Sequence, residues 1–146
     1  MCADSLLRDN LTLAVQSFYT AKDAERCTPK TLDAYTRALD KFILYLRAQA
    51  ISDPTQITPA IVRAYFAELG KRDYTAHTVH DYARPVKTFV RFLYADDILT
   101  TDVMAKVKMP KLDKPILPAF SQADIGKIIA ACECERDKAI CLFMLD

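Results

Sequence analysis

The stretch TPKTLDAYTRALDKFILYL, residues 28–46, decides the fold class. Leu32, Tyr35, Leu39, Phe42, Ile43 and Leu46 recur at three- and four-residue steps, the period of one helical face. Thr28 can cap free N–H groups, and Pro29 suits a first helical position. The opposite side carries Lys30, Arg37 and Lys41 at i, i+7 and i+11, with Asp33 and Asp40 among them. A helix built only to fill a core does not need that basic side.

Working outward, the same signals bound further helices. Leu11, Ala14, Val15 and Phe18 mark one from about Asn10 to Glu25. A third begins at Thr58-Pro59, with Ile57 and Val62 as a hydrophobic staple, and Gly70 is expected to end it as a left-handed cap. The fourth starts at Thr75 or Thr78 and presents Val79, Tyr82, Val86, Phe89, Val90 and Leu93 inward. Pro85 deletes one backbone hydrogen bond there and should bend the axis. Four helices with one apolar face each must pack together, so the expected fold is all-α, a compact four-helix bundle.

Residues 105–120, AKVKMPKLDKPILPAF, hold three prolines and four lysines with no period, and read as an extended linker. Beyond it, Ser121 to Asp124 resembles a capping box, with Phe120 and Ile125 as staple, ahead of Ile125, Ile128, Ile129 and Cys132. Another helix begins near Glu135 and is still apolar where the sequence stops at Asp146. The expected organisation is one complete domain over residues 1–104, a linker over 105–120, and the beginning of a second domain over 121–146.

Composition narrows the function without naming it. The 146 residues carry a formal net charge of +1, so a basic surface has to come from local segregation. No apolar run reaches the ~20 residues of a membrane span, and the N-terminus lacks a signal-peptide pattern. Five cysteines in no regular framework suggest a reduced, cytoplasmic protein, with cysteine acting as a small buried apolar residue. No zinc-type spacing is present around Cys132, Cys134 and Cys141, so no metal or cofactor is expected.

The sharpest segregation is on the fourth helix. His77, His80, Arg84, Lys87 and Arg91 follow steps of three and four residues opposite the apolar stripe, and Asp81 is the single acid among them. A solvated helix face normally mixes signs, because like charges at i, i+4 repel. A cationic row therefore points to a polyanion, and phosphate contact is the natural chemistry. Thr28, Thr31, Thr75 and Thr78 add hydroxyl and N–H donors at helix starts, although capping alone also accounts for Thr28. Arg37, Arg84 and Arg91 are the side chains able to read guanine bidentately.

The ordered set TPKTLDAYTRALDKFILYL, ITPAIVRAYFAEL, HTVHDYARPVKTFVRFLY and MPKLDKPILPAFSQADIGKIIAA resembles the N-terminal core-binding (SAM-like) domain of tyrosine recombinases, the phage integrase family, from about Leu11 to Asp146. The resemblance implies a helical domain that clamps one side of a DNA site, with a catalytic domain after the linker. It implies DNA-facing positions at Thr28, Lys30, Thr31, Arg37, His77, Thr78, His80, Arg84, Lys87 and Arg91, to which the spacing on the second helix adds Lys41. It also implies partners: double-stranded DNA and other recombinase protomers, with no membrane and no small-molecule substrate. Two departures stand out. Asp102-Val103 replaces a frequent Asn-Pro, and Pro85 lies where the family's helix usually runs smoothly.

The family's first catalytic arginine lies in a turn beyond CLFMLD, so the Arg/Lys/His/Tyr catalytic set is absent and this fragment is not expected to be an enzyme. None of the seven tyrosines is expected to have the basic constellation that activates a phenol and stabilises a pentacoordinate phosphate. The rival reading is a helical protein-interaction domain whose cationic face meets an acidic partner. Duplex-DNA titration at several salt concentrations separates the two.

Overall fold

A computed structural model describes residues 9–112 and 119–144. Among the described residues all regular structure is helical: α1 (Asn10–Ala24), α2 (Pro29–Ala48), α3 (Pro59–Lys71), α4 (Ala76–Ala95), α5 (Gln122–Ala131) and α6 (Glu135–Phe143). Short 3-10 turns cover Pro54–Gln56 and Val103–Lys106. The chain divides into two compact units, Met1–Asp113 and Lys114–Asp146.

In the first unit the four helices bury the faces their period marks. Leu11 and Phe18 of α1, Leu39, Phe42 and Leu46 of α2, Val62, Tyr65 and Leu69 of α3, and Val86, Phe89 and Leu93 of α4 are essentially free of solvent. Phe18 stands edge-on to Tyr35, Phe89 and Phe92 at 5.2, 5.5 and 5.4 Å between centroids, tying α1 to both α2 and α4. Each buried aromatic contributes roughly 1.5–3 kcal/mol by its burial, so these rings fix how α2 lies on α4.

Helix starts follow the capping chemistry. Asp9, Thr28, Thr58, Thr75 and Ser121 each accept a backbone N–H from the first turn that follows. Thr75, not Thr78, caps α4, which leaves Asp81 a turn further inside the helix. The helix runs unbroken through a buried Pro85. Ser121 caps α5, but Asp124 accepts from the Ser121 hydroxyl at 2.6 Å rather than from its backbone, so the expected reciprocal box is only half formed.

Helix ends depart from expectation. Gly70 lies inside α3 and no glycine has positive φ, so it is not a left-handed cap. That role falls to Arg26, Ala50 and Asp97, at φ 55°, 57° and 56°. After α2, Ile51 N–H reaches Leu46 C=O and Ala50 N–H reaches Arg47 C=O; after α4, Ile98 reaches Leu93 and Asp97 reaches Tyr94. These are paired Schellman closures, in which Ile51 or Ile98 lies against the bundle.

The two matched ends reveal an internal repeat. α2 and α4 are 20 residues each, offset by 47 positions, and both open T-x2-T-x3-Y-x-R: Thr28, Thr31, Tyr35, Arg37 and Thr75, Thr78, Tyr82, Arg84. Both threonine pairs join hydroxyl to hydroxyl at 2.9 Å.

The stretch read as linker from residue 105 begins on the bundle. Val103, Met104 and Val107 are buried, Met109 packs against the core, and the Arg63 guanidinium donates to Lys106 C=O at 3.2 Å. Apolar residues spaced irregularly over 103–109 carry no helical period, yet they fit a groove of the bundle. The remainder of that stretch, at 113–118, lies outside the described residues.

In the second unit α5 and α6 bury no residue completely. Ile140, Leu142 and Phe143 are more than half exposed, as expected of two helices with little core of their own.

Candidate nucleic-acid interface

The packing of α2 on α4 turns two sequence stripes into one surface. A groove of about 440 Å3 runs between them, with Thr31, Tyr35 and Arg37 on one wall and Thr78, Tyr82 and Arg84 on the other. These are the matched positions of the repeat, so each helix offers the groove the same hydroxyl, phenol and guanidinium. Ala38 and Pro85, also matched, line it with short side chains that leave it open. The Thr88 hydroxyl donates to Arg84 C=O at 3.1 Å, which fastens that side chain to the helix it came from.

Beside this groove a second concavity of about 350 Å3 is lined by His80, Arg84, Lys87, Thr88, Arg91 and Met109. Arg84 and Thr88 border both, so the cationic row of α4 continues the groove wall. Its members stand at the surface: His77, Arg84 and Arg91 are exposed, and His80 and Lys87 are half-buried. Among the described residues none of the five forms an ion pair. The row is not sunk in the core and makes no ion pair among the described residues, although Asp81 lines the groove beside Arg84. Like charges so arranged repel one another until an anion joins them.

The α2 contribution is weaker and divided. Lys30 and Thr31 are exposed at the helix start, where the free N–H groups favour an anion. Arg37 is exposed but pairs with Asp33 at 2.8 Å, an i,i+4 contact with both side chains about two-thirds in solvent, worth little in stability. Asp33 matches His80 in the repeat, so Arg84 lacks the acid that holds Arg37.

Lys41 does not join the cationic face. Its Nζ donates to the Tyr82 hydroxyl at 2.8 Å and the Tyr74 hydroxyl at 3.2 Å, and lies 4.0 and 5.3 Å from the two ring centroids. Helical spacing groups it with Lys30 and Arg37, but Tyr74 arrives from the α3–α4 connection, a partner no helical period can reveal. These hydroxyl bonds, Tyr82 first, raise the Lys41 pKa.

The same cluster bears on one of the tyrosines. Lys41, and after it Arg72, hold the Tyr74 phenol below its ordinary range, so one tyrosine does have cations beside its hydroxyl. Arg72 in turn is engaged by Glu68 at 2.8 Å and adds no free charge to the face. By contrast Tyr65 is buried with an unpartnered hydroxyl, and burial pushes its pKa up.

Tyr35, Tyr82 and Thr88 are groove residues outside the basic stripes, the two tyrosines being placed by their period on the apolar faces. The first two were within reach of sequence reading, through the T-x2-T-x3-Y-x-R spacing shared by α2 and α4. Thr88, at the position matching Lys41, carries no charge signal and became visible only with the groove.

Residues 15–97 match the family model described as phage integrase, N-terminal SAM-like domain. The chain belongs to that family. Similar proteins include a tyrosine recombinase XerC of Bacillus pumilus, 26% identical over 62% of this chain and 29% of its own. A XerC of Oceanobacillus iheyensis is 22% identical over 90% of this chain and 45% of its own, and one of Chlorobaculum parvum is 25% identical over 80% and 36%. The chain therefore spans less than half the length of these relatives. No solved structure gives a significant match. The matched span contains α2, α3 and α4 whole, and with them the groove and the cationic row. Among the described residues no helix is long and apolar enough to cross a membrane.

Proposed function

We propose that this chain is the DNA-gripping part of a site-specific tyrosine recombinase, and that duplex DNA lies along the groove between α2 and α4. The observation that carries the reading is the outward row of Arg84, Lys87 and Arg91, free of described acid partners in a chain of a family whose domain binds DNA. His77 and His80 extend the row, and Thr28, Thr31, Lys30 and Thr78 supply donors at the two helix starts. Lysines, threonines and N–H groups position the backbone; Arg84 and Arg91, unpaired, are the candidates for base edges, with Arg37 available once Asp33 releases it.

The division of labour follows from the fold. The first unit serves as the core-binding domain, and α5 and α6 open the catalytic domain of a longer protein that breaks and rejoins DNA through a phosphotyrosine and contacts other protomers on the site. The chain itself cuts no DNA. Tyr74 has cations beside it, but Lys41 is shared with Tyr82 and Arg72 is engaged by Glu68, and among the described residues no set of groups surrounds a place for a pentacoordinate phosphate.

Anisotropy titration of a short duplex over 50–200 mM salt tests this. The triple variant Arg84→Ala, Lys87→Ala, Arg91→Ala loses up to three phosphate contacts, and log K against log salt should flatten by about 0.9 per contact. Equal affinity and slope in variant and parent, with both folded by circular dichroism, would falsify the placement.

A further inference from the structure

The second unit holds a pair of sulfurs that nothing in the DNA reading uses. Cys132 is the C-cap of α5 and Cys141 lies in α6, and their Sγ atoms face each other at 3.9 Å. Both are half-buried, and Cys134, between them in sequence, is exposed. The sequence reading took these cysteines for buried apolar residues, but no residue of α5 or α6 is fully buried. Burial and the adjacent Cys141 raise the Cys132 thiol, a sign that the two groups are close enough to feel each other.

We propose that Cys132 and Cys141 form a reversible redox pair, oxidised to an intramolecular disulfide by a low-molecular-weight disulfide such as glutathione disulfide. The gap of 3.9 Å closes by about 2 Å to a bonded length of roughly 2.03–2.05 Å. In the first step one protein thiolate attacks a sulfur of the oxidant and expels one glutathione thiolate. In the second, the remaining protein thiolate attacks that mixed disulfide and expels the other glutathione. Two protein thiols lose two electrons and two protons, and two glutathione thiols carry them away.

Cys132 and Cys141 are the one pair of sulfurs in contact among the described residues. Residues 132–134 are extended, so Cys132 and Cys134 sit roughly 6.6–6.8 Å apart by strand rise, near the upper limit for a disulfide. The cross-link fastens the end of α5 to the second turn of α6, in a unit with no fully buried residue among those described. In a reducing cytosol the pair stays open, and it closes when the glutathione pool shifts toward disulfide.

The test is oxidation of the folded 146-residue chain with glutathione disulfide, followed by thiol counting and non-reducing peptide mapping. The expected result is a loss of two thiols from this trio, a dominant Cys132–Cys141 peptide, and full reversal by dithiothreitol. Cys134→Ser should leave that yield within about twofold, and Cys141→Ser should abolish the cross-link and leave glutathione adducts. The same reaction in denaturant should lose the preference. A dominant Cys132–Cys134 or intermolecular product from the folded chain, or glutathione adducts without a cross-link, would overturn the assignment.

Discussion

Replacing Lys41 with Met separates two roles that a lysine on this helix could play. Met keeps the aliphatic length and removes the charge. In the folded protein the lysine loses its hydrogen bonds to Tyr82 and Tyr74, at 2.8 and 3.2 Å, and its seat 4.0 Å above the Tyr82 ring. A cation over an exposed ring is worth about 0.5–1 kcal/mol, and solvent screening cuts the hydrogen bonds to a similar size. The expected loss is about 1 kcal/mol, read as a fall in Tm of about 4 °C for a unit of this size. Because folding raises the Lys41 pKa, its contribution is complete below the ordinary lysine value of 10.5 and fades as pH climbs through the raised folded value. Urea unfolding at pH 7 and again above pH 11 measures both statements. The same variant should bind duplex DNA with an unchanged salt slope. Unchanged stability together with a slope lower by about 0.9 would mean that Lys41 touches phosphate and that its tyrosine seat is incidental.

Two exchanges test the helix ends. Gly70→Ala should stabilise by about 0.5–1 kcal/mol, since the glycine is helical and an added Cβ meets nothing within 4 Å. Ala50→Gly should also stabilise, by up to about 1 kcal/mol, by relieving a left-handed alanine; a loss at both sites in urea melts would contradict the end geometry. Tyr65→Phe removes a buried hydroxyl that has no partner, and should raise stability by about 1 kcal/mol. Destabilisation of similar size would show that this oxygen is bonded, for instance to a bound water.

Much of this fold was legible because its signals are local. Threonine before proline marks the starts of α2 and α3, and the apolar stripes of all four bundle helices predict the buried face. What escaped was whatever depends on a distant partner or an uncommon residue. Glycine is the usual sign of a left-handed helix end, and here Arg26, Ala50 and Asp97 adopt that conformation while Gly70 does not. Val107 and Met109 look like linker because their burial follows the shape of the bundle, not a period of their own.

The candidate site divides in the same way. The row from His77 to Arg91 was readable because one helix carries all of it, and the groove was not, because it exists only where α2 crosses α4. The seat of Lys41 was hidden for the same reason: its neighbours Tyr74 and Tyr82 are 33 and 41 residues away. The 47-residue repeat lay open in the sequence. It needed comparison of two helix starts with each other instead of each with its own period.

Amide NMR of the 15N-labelled chain during addition of a short duplex at low salt locates the bound surface residue by residue. Shifts and broadening should gather at Thr28 to Arg37 and at His77 to Arg91, with the α4 row moving furthest and Lys41 moving little. A response centred elsewhere, such as around Arg47 and Arg63, or no response at low salt, would remove DNA from the α2–α4 groove.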